Sequence, residues 1–182
     1  MLYEKEREMA ALSIQEWRTE EAFSFPWFVI LGVVIVAYIV WLKLVDKKRG
    51  PELLLLGSLM AVAKIVTIIV VSNVLGLFHY TIRLLPLVSN IFATSVTLSP
   101  IIVMLAEQYT HSWKGFILWD AVGFAIMNFV IFPIYVAMGA LEFHNWNVFY
   151  HFLVLFIISL ITRAVYLWIM GTQRRAVEKR KQ

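Results

Sequence analysis

Long runs of apolar residues alternate with short polar segments along the whole chain after residue 25. A helix of about 20 apolar residues is long enough to cross roughly 30 Å of membrane hydrocarbon. The pattern therefore predicts an all-α fold, a polytopic bundle of five transmembrane helices. The predicted spans cover residues 26–42, 53–78, 84–106, 115–141 and 148–170.

The first 25 residues differ from the rest because they are rich in charge, with six acidic and three basic residues. Tyr3, Ile14 and Trp17 follow a helical spacing, which predicts an amphipathic helix lying on the membrane surface or against the bundle. The chain thus divides into three parts. These are an acidic helix (1–25), a transmembrane domain (26–170) and a basic cytoplasmic tail (171–182).

The composition supports a membrane protein. Hydrophobic residues make up 61% of the chain, charged residues 15%, and the mean hydropathy is +0.79, outside the usual range of soluble domains. Of the 16 lysines and arginines, 14 lie outside the predicted spans. The net charge of +4 therefore indicates membrane topology, and we expect no nucleic-acid partner. The chain has no cysteine, which excludes disulfides and thiolate ligands.

The basic residues are distributed unequally between the two sides of the predicted bundle. Ten follow the first, third and fifth spans, and four lie on the opposite side. Because positively charged loops stay in the cytoplasm, this distribution predicts an external N-terminus and a cytoplasmic C-terminus.

Three ionisable residues, Lys64, Asp120 and Arg163, lie inside predicted spans. A charge in the membrane interior is costly unless it is paired or hydrated, so each is a candidate functional residue. The helical rise places Asp120 roughly 8 Å and Arg163 roughly 10 Å from the inner surface, and Lys64 about 18 Å from it. We therefore expect Asp120 and Arg163 to pair. A purely structural role is the alternative to a functional one. In that case Asp120 and Arg163 form an ion pair that only holds helices together, and the ammonium group of Lys64 reaches the membrane interface.

A polar stripe marks the third span, where Asn90, Thr94 and Thr97 follow the i, i+4, i+7 spacing of one helix face. Such a stripe lines a pathway or forms hydrogen bonds between helices. Pro100 and Pro133 lie inside spans, where each is expected to kink its helix and free a carbonyl group.

Four residues at the predicted outer face have side chains that suit zinc: His79, Glu142, His144 and His151. A divalent metal site is therefore an alternative, but no pair has i, i+4 spacing and no HExxH motif is present. No GxSxG or Walker-type glycine motif is present either. We expect no metal, no cofactor and no enzymatic activity.

Several short motifs occur in a defined order across the last three spans. They are Leu85-Pro86, Ser89-Asn90, Gln108-Tyr109, Ser112-Trp113-Lys114-Gly115-Phe116, Phe132-Pro133 and Asn145-Trp146. This order resembles a family of small multi-pass membrane proteins of spore-forming bacteria, a family without an established function. The resemblance implies a bacterial cytoplasmic membrane and about this number of spans. It implies no catalytic or ligand-binding residue.

Two functions remain open from the sequence. The first is a non-enzymatic scaffold or component of a membrane complex, whose partners are membrane lipids and further copies of the chain or other membrane subunits. The alternative is a small oligomeric transporter or channel with a charged site at Lys64, Asp120 and Arg163.

Overall fold

The computed structural model of the protein describes residues 2–86, 92–110 and 112–179. Seven α-helices lie within them: α1 (Leu2–Glu16), α2 (Phe25–Leu44), α3 (Gly50–Ile68), α4 (Ser99–Tyr109), α5 (Trp113–Ile126), α6 (Phe132–Ala137) and α7 (Val148–Lys179). Four π-helical turns adjoin them: Trp17–Glu21, Ile69–Val74, Phe92–Leu98 and Met127–Ile131. A 3₁₀ turn (Lys47–Arg49) and two strands, β1 (Phe78–Tyr80) and β2 (Leu141–Phe143), complete the described elements.

The predicted all-α fold is confirmed, and within the described residues four helical segments are long and apolar enough to cross a membrane. They are Phe25–Leu44, Lys47–Ser72, Trp113–Ala137 and Val148–Ala176. These coincide with the first, second, fourth and fifth predicted spans. Two predicted ends extend too far, because Phe78 and Leu141 belong to the strands. In the third predicted span residues 92–106 are also helical, but its first three residues, 84–86, are not, so this span was predicted to start too early.

Both ends of the described chain are helical. α1 passes directly into the π-helical turn Trp17–Glu21, and most of its described side chains are exposed. Ser24 then caps α2 by accepting a hydrogen bond from the backbone N–H of Trp27. At the other end α7 runs unbroken to Lys179. The described residues of the predicted basic tail therefore continue the last helix.

The two prolines inside the helices each follow a π-helical turn. Phe92–Leu98 precedes Pro100, and Met127–Ile131 precedes Pro133. A proline in a helix removes one N–H donor and its ring crowds the carbonyl of the preceding turn. A π-helical turn is wider and often accompanies such a break in the α-helical hydrogen-bond pattern.

The helices α3, α4, α5 and α7 pack in a closed ring, since each contacts the next and α7 returns to α3. We call this arrangement the four-helix ring. Glycines permit two of its close contacts. A Cβ atom on Gly57 would lie 2.8 Å from Met104 Sδ, and one on Gly123 would lie 2.5 Å from Ile102 Cγ2. α2 lies outside the ring and packs against α4 and the π-helical turn before it.

An antiparallel ladder that the sequence pattern did not predict joins two loops at one end of the ring. Phe78, His79 and Tyr80 pair with Phe143, Glu142 and Leu141 respectively. Each strand follows a helix that ends at a glycine with positive φ, Gly76 (62°) or Gly139 (68°). Glycine adopts this left-handed conformation without the steric cost that a Cβ atom imposes, so both helices stop there and the chain turns into the ladder.

Candidate functional site in the four-helix ring

Polar side chains fill much of the interior of the four-helix ring. Among the described residues, twelve of them on its helices and the adjoining π-helical turns are buried: Lys64, Thr94, Ser95, Thr97, Ser99, Glu107, Asp120, Asn128, His151, Ser159, Thr162 and Arg163. Polar groups in a membrane-embedded core are costly unless their hydrogen bonds are satisfied within the protein. Their partners therefore decide what the site does.

Lys64 is completely buried near the C-terminal end of α3, four residues before its last residue, Ile68. Its Nζ donates a hydrogen bond to Ser99 Oγ at 3.0 Å and lies 5.9 Å from the centre of the Phe132 ring. Among the described residues no carboxylate lies within ion-pair distance of this ammonium group. The interpretation of Lys64 as a lysine that reaches the interface is therefore wrong, because its side chain bonds inside the ring.

Ser99 connects Lys64 to the polar stripe of the third predicted span. Its hydroxyl also donates to the Thr94 carbonyl at 2.9 Å, within the π-helical turn before Pro100. The Thr94 hydroxyl lies 3.3 Å from the Tyr80 hydroxyl, and the Thr97 hydroxyl donates to Tyr38 Oη at 3.4 Å. Both threonines thus form hydrogen bonds between elements. Asn90, the first residue of the predicted stripe, lies outside the described residues.

Arg163 pairs with Glu107, not with Asp120. Its Nε lies 2.7 Å from Glu107 Oε2, and both side chains are almost fully buried. The guanidinium group also lies over two aromatic rings, 4.4 Å from the centre of Trp113 and 4.3 Å from that of Phe116. The predicted direct pair of Asp120 and Arg163 is therefore wrong. The predicted third span ends at Ala106. The prediction therefore missed Glu107, which is the next residue in the chain.

Asp120 accepts its hydrogen bond from the Ser159 hydroxyl on α7. Its second carboxylate oxygen, Oδ1, is buried and has no partner among the described residues, and the same holds for Arg163 Nη1. The three ionisable residues singled out in the sequence all lie in the ring interior, but each has a different bonded partner. They do not form one ion-pair cluster.

His151 lies within an aromatic cluster near the ladder. Its ring centre is 5.2 Å from that of Phe78 and 4.9 Å from that of Phe132. His151 Nδ1 lies 2.9 Å from Asn128 Oδ1, while the Asn128 amide nitrogen donates to the Phe124 carbonyl. The Asn128 oxygen must therefore accept, which assigns the proton to Nδ1 of His151. His151 serves as a buried bridge between α7 and the π-helical turn after α5.

The other metal-ligand candidates lie together on the exposed side of the ladder. His79 pairs with Glu142 in register, and His144 Nε2 lies 3.8 Å from Glu142 Oε2. Within the described part of the chain no group of three histidine, aspartate or glutamate side chains is arranged to hold a metal ion.

A polar cavity of about 220 Å³ opens at the ladder end of the ring. Its lining includes Ile68, Tyr80 and Arg83, and we call it the outer pocket. Burial raises the pKa of the Tyr80 hydroxyl to about 12, so this group stays protonated and neutral. Ile68 follows Lys64 by one helical turn on α3, but Lys64 does not line the pocket.

The chain was compared with protein families, curated proteins and solved structures. No family model, curated protein or solved structure matches it. The resemblance to membrane proteins of spore-forming bacteria therefore stays a hypothesis, and the geometry of the ring is the basis for a functional proposal.

Proposed function

We propose that the chain is a five-span protein of the bacterial cytoplasmic membrane, with an external N-terminus. The contacts of the third predicted span support five crossings. At one end Trp27 Nε1 donates to the Leu84 carbonyl, and at the other the Tyr109 hydroxyl donates to the Leu44 carbonyl. Trp27 and Leu44 lie at opposite ends of α2. Reporter fusions after Arg49 and after Gln182 should therefore both report the cytoplasm, and an external signal from either would overturn this topology.

We further propose that the four-helix ring conducts protons or small ions and that the protein is not an enzyme. The observation that supports this function is Lys64, a fully buried basic residue with Ser99 as its hydrogen-bond partner and without a carboxylate at ion-pair distance among the described residues. An unpaired buried charge destabilises a protein. Ionisable residues at such positions in membrane bundles typically belong to ion pathways and proton relays.

A scaffold or assembly component is the second candidate, and a specific observation favours it. The outer pocket is lined by Ile68 and Tyr80 and does not include Lys64, while the buried ion pair of Arg163 and Glu107 joins α7 to α4. Both features suit a closed, packed bundle whose polar residues hold the helices together.

Ion flux into liposomes distinguishes the two functions. The purified chain is reconstituted with a pH-sensitive dye inside, and a potassium diffusion potential supplies the driving force. We expect proton entry with the natural chain, its loss with Lys64→Met, and unchanged entry with Lys114→Met, because Lys114 is exposed on α5. Absence of proton, sodium, potassium and chloride flux in the natural chain would refute ion conduction and leave the scaffold function.

A further inference from the structure

A long apolar groove runs beside the four-helix ring. α4 and the π-helical turn before it form its floor, with α2 on one side and α5 on the other. Two cavities lie along it, of about 650 Å³ and about 570 Å³, and both are lined by Ile126. Since they share a residue, the two cavities are neighbours in the space between α2 and α5.

The two cavities extend to different levels of the bundle. The first is lined by α2 residues from Val29 to Val40 and by Ile131. The second is lined by Leu44, Tyr109 and Trp119, and Leu44 and Tyr109 are the last residues of α2 and α4. It therefore opens at the end of the bundle where α2 and α4 stop, the cytoplasmic end in the proposed topology. We call this second cavity the inner groove.

Three exposed lysines lie within four residues of Leu44, at the end of α2 where the inner groove opens. Lys43 immediately precedes the lining residue Leu44, and Lys47 and Lys48 lie in the 3₁₀ turn that follows α2. Among the described residues none of these three ammonium groups has a carboxylate within ion-pair distance. An apolar groove thus ends at a cluster of free positive charges, with Tyr109 and Trp119 at the level where aromatic side chains meet lipid headgroups.

We propose that the inner groove binds one anionic phospholipid of the cytoplasmic leaflet. Its acyl chain lies along Leu105 and Ile126, and its phosphate group contacts Lys43, Lys47 and Lys48. The apolar walls exclude a charged or strongly polar ligand from the groove itself. The lysines favour an anionic over a zwitterionic headgroup. This site rests on insertion of the chain in a membrane and does not depend on ion conduction.

Lipid retention by the full chain tests the site. The protein in detergent is mixed with equal amounts of phosphatidylglycerol and phosphatidylcholine that carry identical acyl chains, and bound lipids are counted by native mass spectrometry. We expect one retained phosphatidylglycerol per chain, preferred over phosphatidylcholine by about tenfold or more. Replacing Lys43, Lys47 and Lys48 together by Gln should abolish this preference. Lys114→Gln, at another exposed basic position of the same side, should leave it unchanged.

A second pair of variants tests the groove separately from the charges. Val122→Trp places a large side chain in the inner groove and should reduce retention of both lipids. Val62→Trp introduces the same side chain at an exposed position of α3 and should not. Equal retention of the two lipids by the natural chain would overturn the proposal, as would a preference that survives the triple Gln variant. If the natural chain forms a dimer and the Val122→Trp substitution dissociates it, the inner groove binds a second copy of the chain instead of a lipid.

Discussion

Single residues in the ring interior show how buried charges are accommodated in this protein. Two cations, Lys64 and Arg163, and two acids, Glu107 and Asp120, are buried. Their formal charges sum to zero, but Arg163 and Glu107 alone make direct contact. Paired and unpaired charges therefore coexist in one core, and they should respond differently to substitution.

The pair of Arg163 and Glu107 provides the first prediction. Arg163→Gln or Glu107→Gln alone leaves the remaining charge buried without its partner, which should lower the free energy of unfolding by about 3–5 kcal/mol. The double variant should lose less than the sum of the two single variants, because it leaves no isolated charge. Unfolding in mixed micelles measures all four proteins. A coupling energy near zero would contradict the ion pair, and the same cycle with Asp120→Asn should give weaker coupling.

Ser99 provides the second prediction because its hydroxyl accepts from Lys64 and donates to the Thr94 carbonyl. Ser99→Ala leaves a buried ammonium group without this acceptor and should destabilise the protein by about 1–3 kcal/mol. The loss should be smaller in a Lys64→Met background. Ser95→Ala is a matched control, since Ser95 is buried in the π-helical turn that immediately precedes Ser99 but its hydroxyl has no partner among the described residues. Equal losses at both serines would contradict the role of Ser99.

At the scale of elements, the hydrophobic pattern predicted which segments are helical more accurately than it predicted where those helices end. Length and apolar composition locate the four candidate spans because a membrane-crossing helix must satisfy its own backbone hydrogen bonds. The same pattern placed Phe78 and Leu141 in helices, although the preceding Gly76 and Gly139 redirect the chain into the ladder. Glycine alone does not specify a left-handed residue, so the hydrophobic pattern contains no sufficient signal for these two helix ends.

Part of the candidate site could be predicted from the sequence. The cost of buried charge identified Lys64, Asp120 and Arg163 as interior residues, and all three are buried. The bonded partners of these residues could not be predicted from the sequence, because depth along a helix gives no information about which face a neighbouring helix presents. Glu107 was missed for a related reason: it lies just past the predicted end of a span, while the long side chain of Arg163 reaches it on α4.

The glycine that precedes β2 by two residues, Gly139, provides the third prediction. Gly139 has φ of +68°, and no heavy atom would lie within 4 Å of an added Cβ atom. Gly139→Ala should therefore destabilise the protein by about 1–2 kcal/mol through backbone strain alone. Gly32→Ala is the matched control, with equally open surroundings in the middle of α2, and should be neutral or stabilising. If Gly139→Ala were as stable as Gly32→Ala, the left-handed turn before the ladder would be disproved.

At the scale of the whole molecule, the N-terminal segment is joined to the ladder end of the bundle through Arg83. Its guanidinium group forms an ion pair with Glu21, lies 3.5 Å from a carboxylate oxygen of Glu16, and donates to Ser13 Oγ at 2.6 Å. Trp17 Nε1 donates to the Arg83 carbonyl at 2.8 Å. Glu16, Glu21 and Arg83 also line the outer pocket, so the N-terminal segment forms one wall of that pocket.

The last prediction is that Arg83→Gln releases the N-terminal segment while the bundle stays folded. The side chain of Arg83 interacts with three residues of this segment, whereas the spanning helices pack mainly through apolar contacts. Hydrogen exchange in nanodiscs should therefore accelerate at residues 10–21 and remain unchanged in α3 and α7. Arg18→Gln, a change at an exposed arginine of the same segment, should not alter exchange.

The pH dependence of this contact follows from the charge of Arg83. Its hydrogen bond to Glu21 raises the pKa of the guanidinium group above its ordinary value, so the stabilisation from a charged Arg83 is present below the ordinary arginine pKa and is lost only as the pH rises through the raised value. Arg83 consequently stays charged between about pH 6 and about pH 9, and protection of residues 10–21 should stay constant across this interval once exchange rates are corrected for pH. Loss of protection within this interval, or unchanged exchange in Arg83→Gln, would show that other contacts hold the N-terminal segment.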